Sequence, residues 1–235
     1  VVTGEQAPEA VSVIADVARQ NQAPLFARGG TWQLTSLGEK FRFQDQMGAL
    51  ELPTPALPGS HQFDNAGIAL AALGAAGIAA PESAYAAGLT AAVWPARLQC
   101  LTGRLARRLP PGFSLWVDGG HNPGAGAALA AHLAGWRAAP VHLVVGMKTG
   151  KDSVGFLAPL LPLATSLYAV SEPGQHFARP VSDIIAASGG IARPGPTVAS
   201  ALAQIGRDQP PGRVLICGSL YLAGEVLKQD GDWPQ

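Results

Sequence analysis

Short apolar runs alternate with helix-like stretches through the second half of the chain. Leu115–Val117, Val141–Val145, Leu167–Val170 and Val214–Cys217 are strand-like. Between and after them, apolar positions recur at helical spacing near Gly126–Leu133, Val154–Leu161, Val181–Ala187 and Leu220–Lys228. Runs so short and so apolar bury both faces, and their alternation with helices predicts a mostly parallel sheet covered on both sides: a Rossmann-like, doubly wound α/β fold. Ligands of such folds bind outside the carboxyl ends of the strands.

The first part of the chain is less regular. Pro8-Glu9 opens a helix with Val11, Ile14, Ala15 and Ala18 on one side, and Leu25–Ala27 follows as a short strand. Val1–Thr3 reads as the tail of another strand. Phe41-Arg42-Phe43 alternates as an exposed strand does, and Pro53, Pro55 and Pro58 then break the chain. A long Ala-rich helix is predicted from about Gln62 to Leu73, and a second from Pro81 to about Val93, ended by Trp94-Pro95. This is a mixed α/β piece with too few strands for a complete sheet, so the organisation expected is residues 1–92 followed by a self-contained unit, 93–235.

Composition narrows the class. The 235 residues carry 16 Lys+Arg and 16 Asp+Glu, for a net charge of zero, and only 14% are charged, which argues against a nucleic-acid partner. The balance is uneven: 4 basic and 8 acidic residues precede Val93, while 12 and 8 follow from it. A basic second part suits a small anionic ligand, and scattered surface arginines produce the same tally. With 48% hydrophobic residues the chain lies far from the disordered class, and 29 Gly and 20 Pro imply many turns. Cys100 and Cys217 suggest neither a disulfide framework nor a zinc site, so a reducing, cytoplasmic setting is expected. The longest apolar run, Ala66–Ala80, is 15 residues of mostly Ala and Gly, too short for a membrane span.

The strand ends concentrate the chemistry on one rim: Asp118-Gly-Gly-His121-Asn122-Pro123, Gly146–Asp152, Ser171–His176 and Gly218-Ser219. Familiar motifs fail there. Gly124-Ala125-Gly126 has Leu129 where a dinucleotide fingerprint needs a small residue. Gly146–Lys151 has three residues between its glycines where a P-loop has four, and Asp152 stands in place of the metal-binding hydroxyl. Gly218-Ser219 lacks a nucleophile elbow, and the five histidines show no metal-ligand spacing, so no metal site is assigned. What remains is Asp118, His121 and Asn122 at a helix start, suited either to an anion or to local capping, and Arg97 at the junction, suited either to phosphate or to an interdomain salt bridge.

Leu57-Pro-Gly-Ser-His61-Gln62-Phe-Asp-Asn65-Ala66, Trp94-Pro-Ala-Arg97-Leu-Gln, Asp118-Gly-Gly-His121-Asn122-Pro123, Lys151-Asp152 and Gly218-Ser-Leu-Tyr-Leu222 follow one another in this order. Together they resemble the carboxyl-terminal half of folylpolyglutamate synthase/dihydrofolate synthase, in the Mur ligase superfamily, over essentially the whole chain. The resemblance implies the last portion of a P-loop-type ATPase domain over 1–92 and a Rossmann-like ligase domain over 93–235. It implies ATP-dependent joining of L-glutamate to folate or dihydropteroate through an acyl phosphate, with Mg²⁺ as the phosphate counterion. Asn65, Arg97 and Asp118 would contact the nucleotide, His121 and Asn122 the phosphates and incoming glutamate, and Ser219 and Tyr221 the substrate. Three departures stand out: Ala96 replaces the glycine of the usual Pro-Gly-Arg, Gly120 replaces an alanine before His121, and Leu101–Gly112 is longer than the common form. The family's P-loop, Mg²⁺ ligands and carbamylated lysine have no counterpart, so the reading is of a fragment that lacks its amino-terminal half and is inactive alone. The alternatives are a Mur-type ligase for peptidoglycan precursors and a non-catalytic binding module.

Overall fold

The computed structural model describes residues 1–59, 61–136 and 138–231. Ser60, within the Leu57–Ala66 motif, lies outside the described residues. The chain divides into two compact units, Val1–Val93 and Trp94–Gln235.

In the first unit, β1 (Val2–Thr3) leads through helix α1 (Pro8–Gln20) to β2 (Phe26–Ala27), which pairs with β1 in parallel. Pro8 sits in the first turn of α1, Glu9 near its positive end and Arg19 near its negative end, all favourable placements. The helix forms where the spacing predicts it, yet Ala18 is its one buried residue, and Val11, Val13 and Val17 are 40%, 62% and 50% exposed. Next comes an antiparallel meander of β3 (Trp32–Ser36), β4 (Lys40–Asp45) and β5 (Gly48–Pro53). Only β4 shows in the sequence pattern, because Phe41 and Phe43 alternate cleanly with exposed Lys40, Arg42 and Gln44. Helices α2 (His61–Ala75) and α3 (Glu82–Thr90) complete the unit. Ala66, Leu70 and Ala71 of α2 close a small core with Trp32, Phe41, Phe43 and Leu52.

The second unit is built on a six-stranded sheet. In chain order it contains β6 (Gln99–Leu101), β7 (Ser114–Val117), α4 (Pro123–Leu133), β8 (Val141–Val145), α5 (Ser153–Leu157), β9 (Ser166–Ala169), α6 (Val181–Ala187), β10 (Arg193–Pro194), α7 (Val198–Asp208), β11 (Arg213–Cys217) and α8 (Leu220–Asp230). The strand order is β10-β9-β8-β11-β7-β6, parallel throughout except for the antiparallel edge strand β6. Leu202, Ile205, Leu222 and Val226 of α7 and α8 cover one face, against Val117, Val144, Tyr168 and Ile216. Leu129, Leu133, Phe156, Leu157 and Ile184 of α4, α5 and α6 cover the other, against Leu143, Val145, Leu167 and Leu215. Two-sided cover explains why β8 is apolar at four of five positions and buried at all five. Its one polar residue, His142, is fully enclosed and satisfied at both ring nitrogens, by Pro210 O and Ser166 Oγ, each at 2.9 Å. A carbonyl only accepts, so Nε2–H donates to Pro210 and Nδ1 accepts from the serine; burial lowers the pKa and keeps the ring neutral.

Two expectations need correction. The helix expected near Val154–Leu161 stops at Leu157, and Leu161–Leu163 form a separate 3-10 turn. A second helix, α7, lies between β9 and β11 where none was expected; its signal was present, with Val198, Ala201, Leu202 and Ile205 on one face behind the Thr197 cap. The Thr102–Gly112 connection is anchored by the buried Asp230 carboxylate, which accepts from the amides of Gly103, Leu105 and Ala106 at 2.8, 2.7 and 3.1 Å.

Candidate functional site

The helices on the sheet's two faces locate a crevice. The chain leaves β7 toward α4 on one face and leaves the adjacent β11 toward α8 on the opposite face. The loops therefore diverge at the carboxyl ends of β7 and β11, the kind of switch point where doubly wound sheets bind ligands. Asp118–Asn122 and Gly218-Ser219 border this crevice. Gly218 N donates to Gly120 O at 2.9 Å, tying the two loops together. Its φ of +106° and a hypothetical Cβ only 2.9 Å from Gly146 O both require glycine.

Asp118 is buried and organises the segment that carries Arg97. Its Oδ2 accepts from Leu98 N at 2.9 Å and its Oδ1 from Gly120 N at 2.6 Å. Gly119 N donates to Ala96 O at 2.8 Å, and Gln99 Oε1 accepts from Ala96 N at 3.0 Å. These bonds hold Ala96 and Leu98 at φ of +57° and +44°, the left-handed region disfavoured for residues with a Cβ. Arg97 lies between them, half-buried, with Nη1 3.4 Å from where a Cβ on Gly119 would stand. It makes no salt bridge among the described residues. A guanidinium so placed, with no carboxylate to neutralise it, is available to an anion.

His121 Nδ1 is 2.9 Å from Gly119 O. Because the carbonyl accepts, Nδ1 carries the hydrogen and Nε2 of the neutral ring is a proton acceptor. Asn122 caps α4: Oδ1 accepts from Ala125 N at 2.8 Å, with Pro123 in the first turn. The capping role weighed for Asn122 is thus present, and it occupies the carbonyl end of the side chain only. Ser219 caps α8, its buried Oγ accepting from Tyr221 N and Leu222 N at 3.1 and 3.4 Å while its hydrogen stays available. Burial and the neighbouring Asp118 carboxylate push the Cys217 thiol, at the end of β11, far up, so it stays protonated.

Asn65 belongs to the first unit. It is exposed on α2, donates from Nδ2 to Gln62 Oε1 at 3.0 Å, and lines an apolar cleft of about 340 Å³ with Pro55, Leu57, Leu73 and Leu89. Asp152 caps α5 through Gly155 N. Sequence reading placed the loops after β8 and β9 on the rim but gave no role to Lys148, His176 or Phe177. The structure gathers them about the exposed Tyr221, with Lys148 Nζ 5.1 Å from the Phe177 ring centre and 5.3 Å from that of Tyr221. Among the described residues no three His, Cys, Asp or Glu side chains converge on a metal position.

Comparison with known proteins bears on this rim. No family model matches the chain. The dihydrofolate synthase/folylpolyglutamate synthase of Escherichia coli (strain K12) is 31% identical over 233 residues, 97% of this chain and 51% of that protein. The folylpolyglutamate synthase of Lacticaseibacillus casei is 27% identical over 96% of this chain and 53% of its own length. The chain is a relative of the folylpolyglutamate/dihydrofolate synthases. It spans about half the length of the curated relatives it matches. Escherichia coli FolC in complex with DHPP and ADP superposes with a TM-score of 0.80 at 30% identity, covering 97% of this chain and 52% of that one. A folylpolyglutamate synthase/dihydrofolate synthase with Mn, AMPPNP and L-glutamate bound gives 0.79 at 29% identity, covering 92% and 50%. Ala96, in the Pro95-Ala96-Arg97 segment, stands in a backbone conformation that favours glycine.

Proposed function

We propose that the chain is the carboxyl-terminal portion of an ATP-dependent ligase that adds L-glutamate to folate or dihydropteroate through an acyl phosphate. Residues 1 to about 92 would belong to its ATPase domain, and 93–235 would form its Rossmann-like ligase domain. The observation that carries this reading is the Arg97 clamp, a guanidinium without a carboxylate partner fixed beside the β7/β11 crevice. In the reaction, an acceptor carboxylate attacks the terminal phosphorus of ATP and ADP leaves; the glutamate amine then attacks the acyl carbon and inorganic phosphate leaves. Arg97 offsets charge on the phosphoryl group in transfer. His121 Nε2 accepts the proton shed by the attacking amine, while the Asn122 amide nitrogen and the Ser219 hydroxyl donate to oxygens of the reactants. Asp118 retains one lone pair on each oxygen for the nucleotide, and Asn65 offers an amide at the edge of an apolar cleft that suits a flat base. Tyr221, exposed in the first turn of α8, would contact the substrate. Magnesium, when bound, supplies neutralisation of phosphate charge; its protein ligands are expected in the amino-terminal half, the other partner of this chain.

The exposed valines of α1, Val11, Val13 and Val17, support that missing partner. No helix among the described residues is long and apolar enough to cross a membrane, and a cytoplasmic setting is part of the proposal. Two assays test it. In the intact enzyme, Arg97→Ala lowers kcat at saturating glutamate by about 100- to 1,000-fold, and unchanged kinetics would remove Arg97 from the site. Residues 1–235 alone, given ATP, Mg²⁺, dihydropteroate and L-glutamate, form no product; ligation with ATP consumption would refute the need for an absent half.

A further inference from the structure

The edge of the second unit opposite the rim carries charge that the reaction above leaves unused. Strands β7 and β11 enter the sheet there, behind the connections Thr102–Gly112 and Gln209–Gly212, and α8 ends there at Asp230. Arg104, Arg107 and Arg108 are exposed on the first connection, the last two within a 3-10 turn, Ala106–Arg108. We infer that these three arginines form a docking surface for an acidic segment of a partner protein.

The turn that presents them is firmly built. Asp230 binds four successive backbone amides: its carboxylate accepts from Gly103, Leu105 and Ala106, and its carbonyl accepts from Arg104 N at 2.9 Å. A Cβ on Gly103 would overlap Asp230, so this close approach requires glycine. Leu105 is buried in the core, and Ala106, Leu109 and Phe113 pack against it. Pro211 of the second connection lies against Gly112, whose φ is +92°, and Pro110 lies against Gly206 of α7. A surface fixed in this way loses little freedom when a partner orders on it, so more of the contact energy appears as affinity.

Its charge stands uncancelled. None of the three arginines makes a salt bridge among the described residues. Acidic side chains from the same end of the unit are engaged elsewhere: Asp208 with Arg207 at 2.7 Å, Glu225 with Lys228 at 2.9 Å, and Asp230 in the clamp. Arg104 donates once, to Lys228 O at 3.3 Å, and Arg107 once, to Thr102 O at 3.2 Å, which leaves most donors of each guanidinium free. Such forks match carboxylates bidentately, and arginine is enriched among the residues that dominate protein interfaces. A single-stranded nucleic acid would need an open aromatic face, but Phe113 is half-buried with its ring 6.0 Å from that of His142. A membrane surface would need an apolar face to enter it, and neither connection exposes a large apolar side chain.

The test uses residues 1–235 of the chain and a short fluorescent peptide rich in Asp and Glu. Its Asn/Gln counterpart, an oligonucleotide of the same net charge and vesicles containing anionic lipid serve as the other probes. The acidic peptide is expected to move the Arg107 and Arg108 Nε–H signals in NMR spectra. Arg107→Glu combined with Arg108→Glu should weaken its binding at least ~10-fold, whereas Arg42→Glu, the same change at an exposed arginine of the first unit, should leave it within about 2-fold. Arg108→Glu alone, at a side chain with no bond among the described residues, should give part of the loss with Tm unchanged. Equal binding of the neutral peptide, a loss no greater than that of Arg42→Glu, or tighter binding of the oligonucleotide or the vesicles overturns the proposal.

Discussion

Strand β8 and helix α1 are both rich in Val, yet all five residues of β8 are buried while α1 buries one of thirteen. The difference lies in what surrounds them. β8 has paired strands on both edges and helices on both faces, whereas α1 has only the two-residue strands β1 and β2 as its immediate neighbours in sequence. The same residue types are core in one unit and surface in the other. The second unit is therefore self-sufficient in packing. The first leaves more of its apolar side chains open, and it also keeps apolar clefts of about 310 and 340 Å³.

The contrast can be broken by substitution. Leu143→Ala, in the centre of β8, is expected to destabilise the second unit by about 2–5 kcal/mol, and Val13→Ala in α1 to change stability by less than about 0.5 kcal/mol. Denaturant melts of the two variants measure both, and equal effects would erase the distinction. Next in size is a pH effect confined to the second unit. The folded-state pKa of His142 is lowered, so its neutral form contributes stability that is fully present above the unfolded value of about 6.5 and is lost as pH falls toward the folded value. The Tm should decline from pH 7.5 to pH 5, and His142→Gln should flatten that decline. The smallest expected effect is a gain: Ala96→Gly relieves a left-handed backbone and should stabilise the chain by about 1 kcal/mol, visible as a raised denaturation midpoint.

The sequence carried the second unit far better than the first, for a physical reason. Strands buried on both faces leave an unbroken apolar run such as Val141–Val145, while an antiparallel meander with one wet face leaves a diluted one. Thus Phe41 and Phe43 betrayed β4, but Gly48–Pro53, with Glu51 and Gly48 in it, did not announce β5. Helix α7 was legible and was overlooked, since Val198, Ala201, Leu202 and Ile205 follow helical spacing behind Thr197. At the rim, Asp118, His121 and Ser219 stood out as residue types at strand ends, and Arg97 as a guanidinium at the junction. The bonds by which Asp118 and Gly119 hold the Arg97 segment could not be read, because they join residues about twenty positions apart through backbone amides. Nor could the gathering of Lys148, His176, Phe177 and Tyr221, which depends on β11 entering the sheet between β7 and β8.

Native-state hydrogen exchange on the whole chain tests the difference between the units most directly. Amides of β8 and β11 should exchange only through global unfolding of their unit, while those of α1 and β2 should exchange through openings several kcal/mol less costly. Protection of α1 equal to that of β8 would contradict the account, because it would erase the difference in packing between the two units.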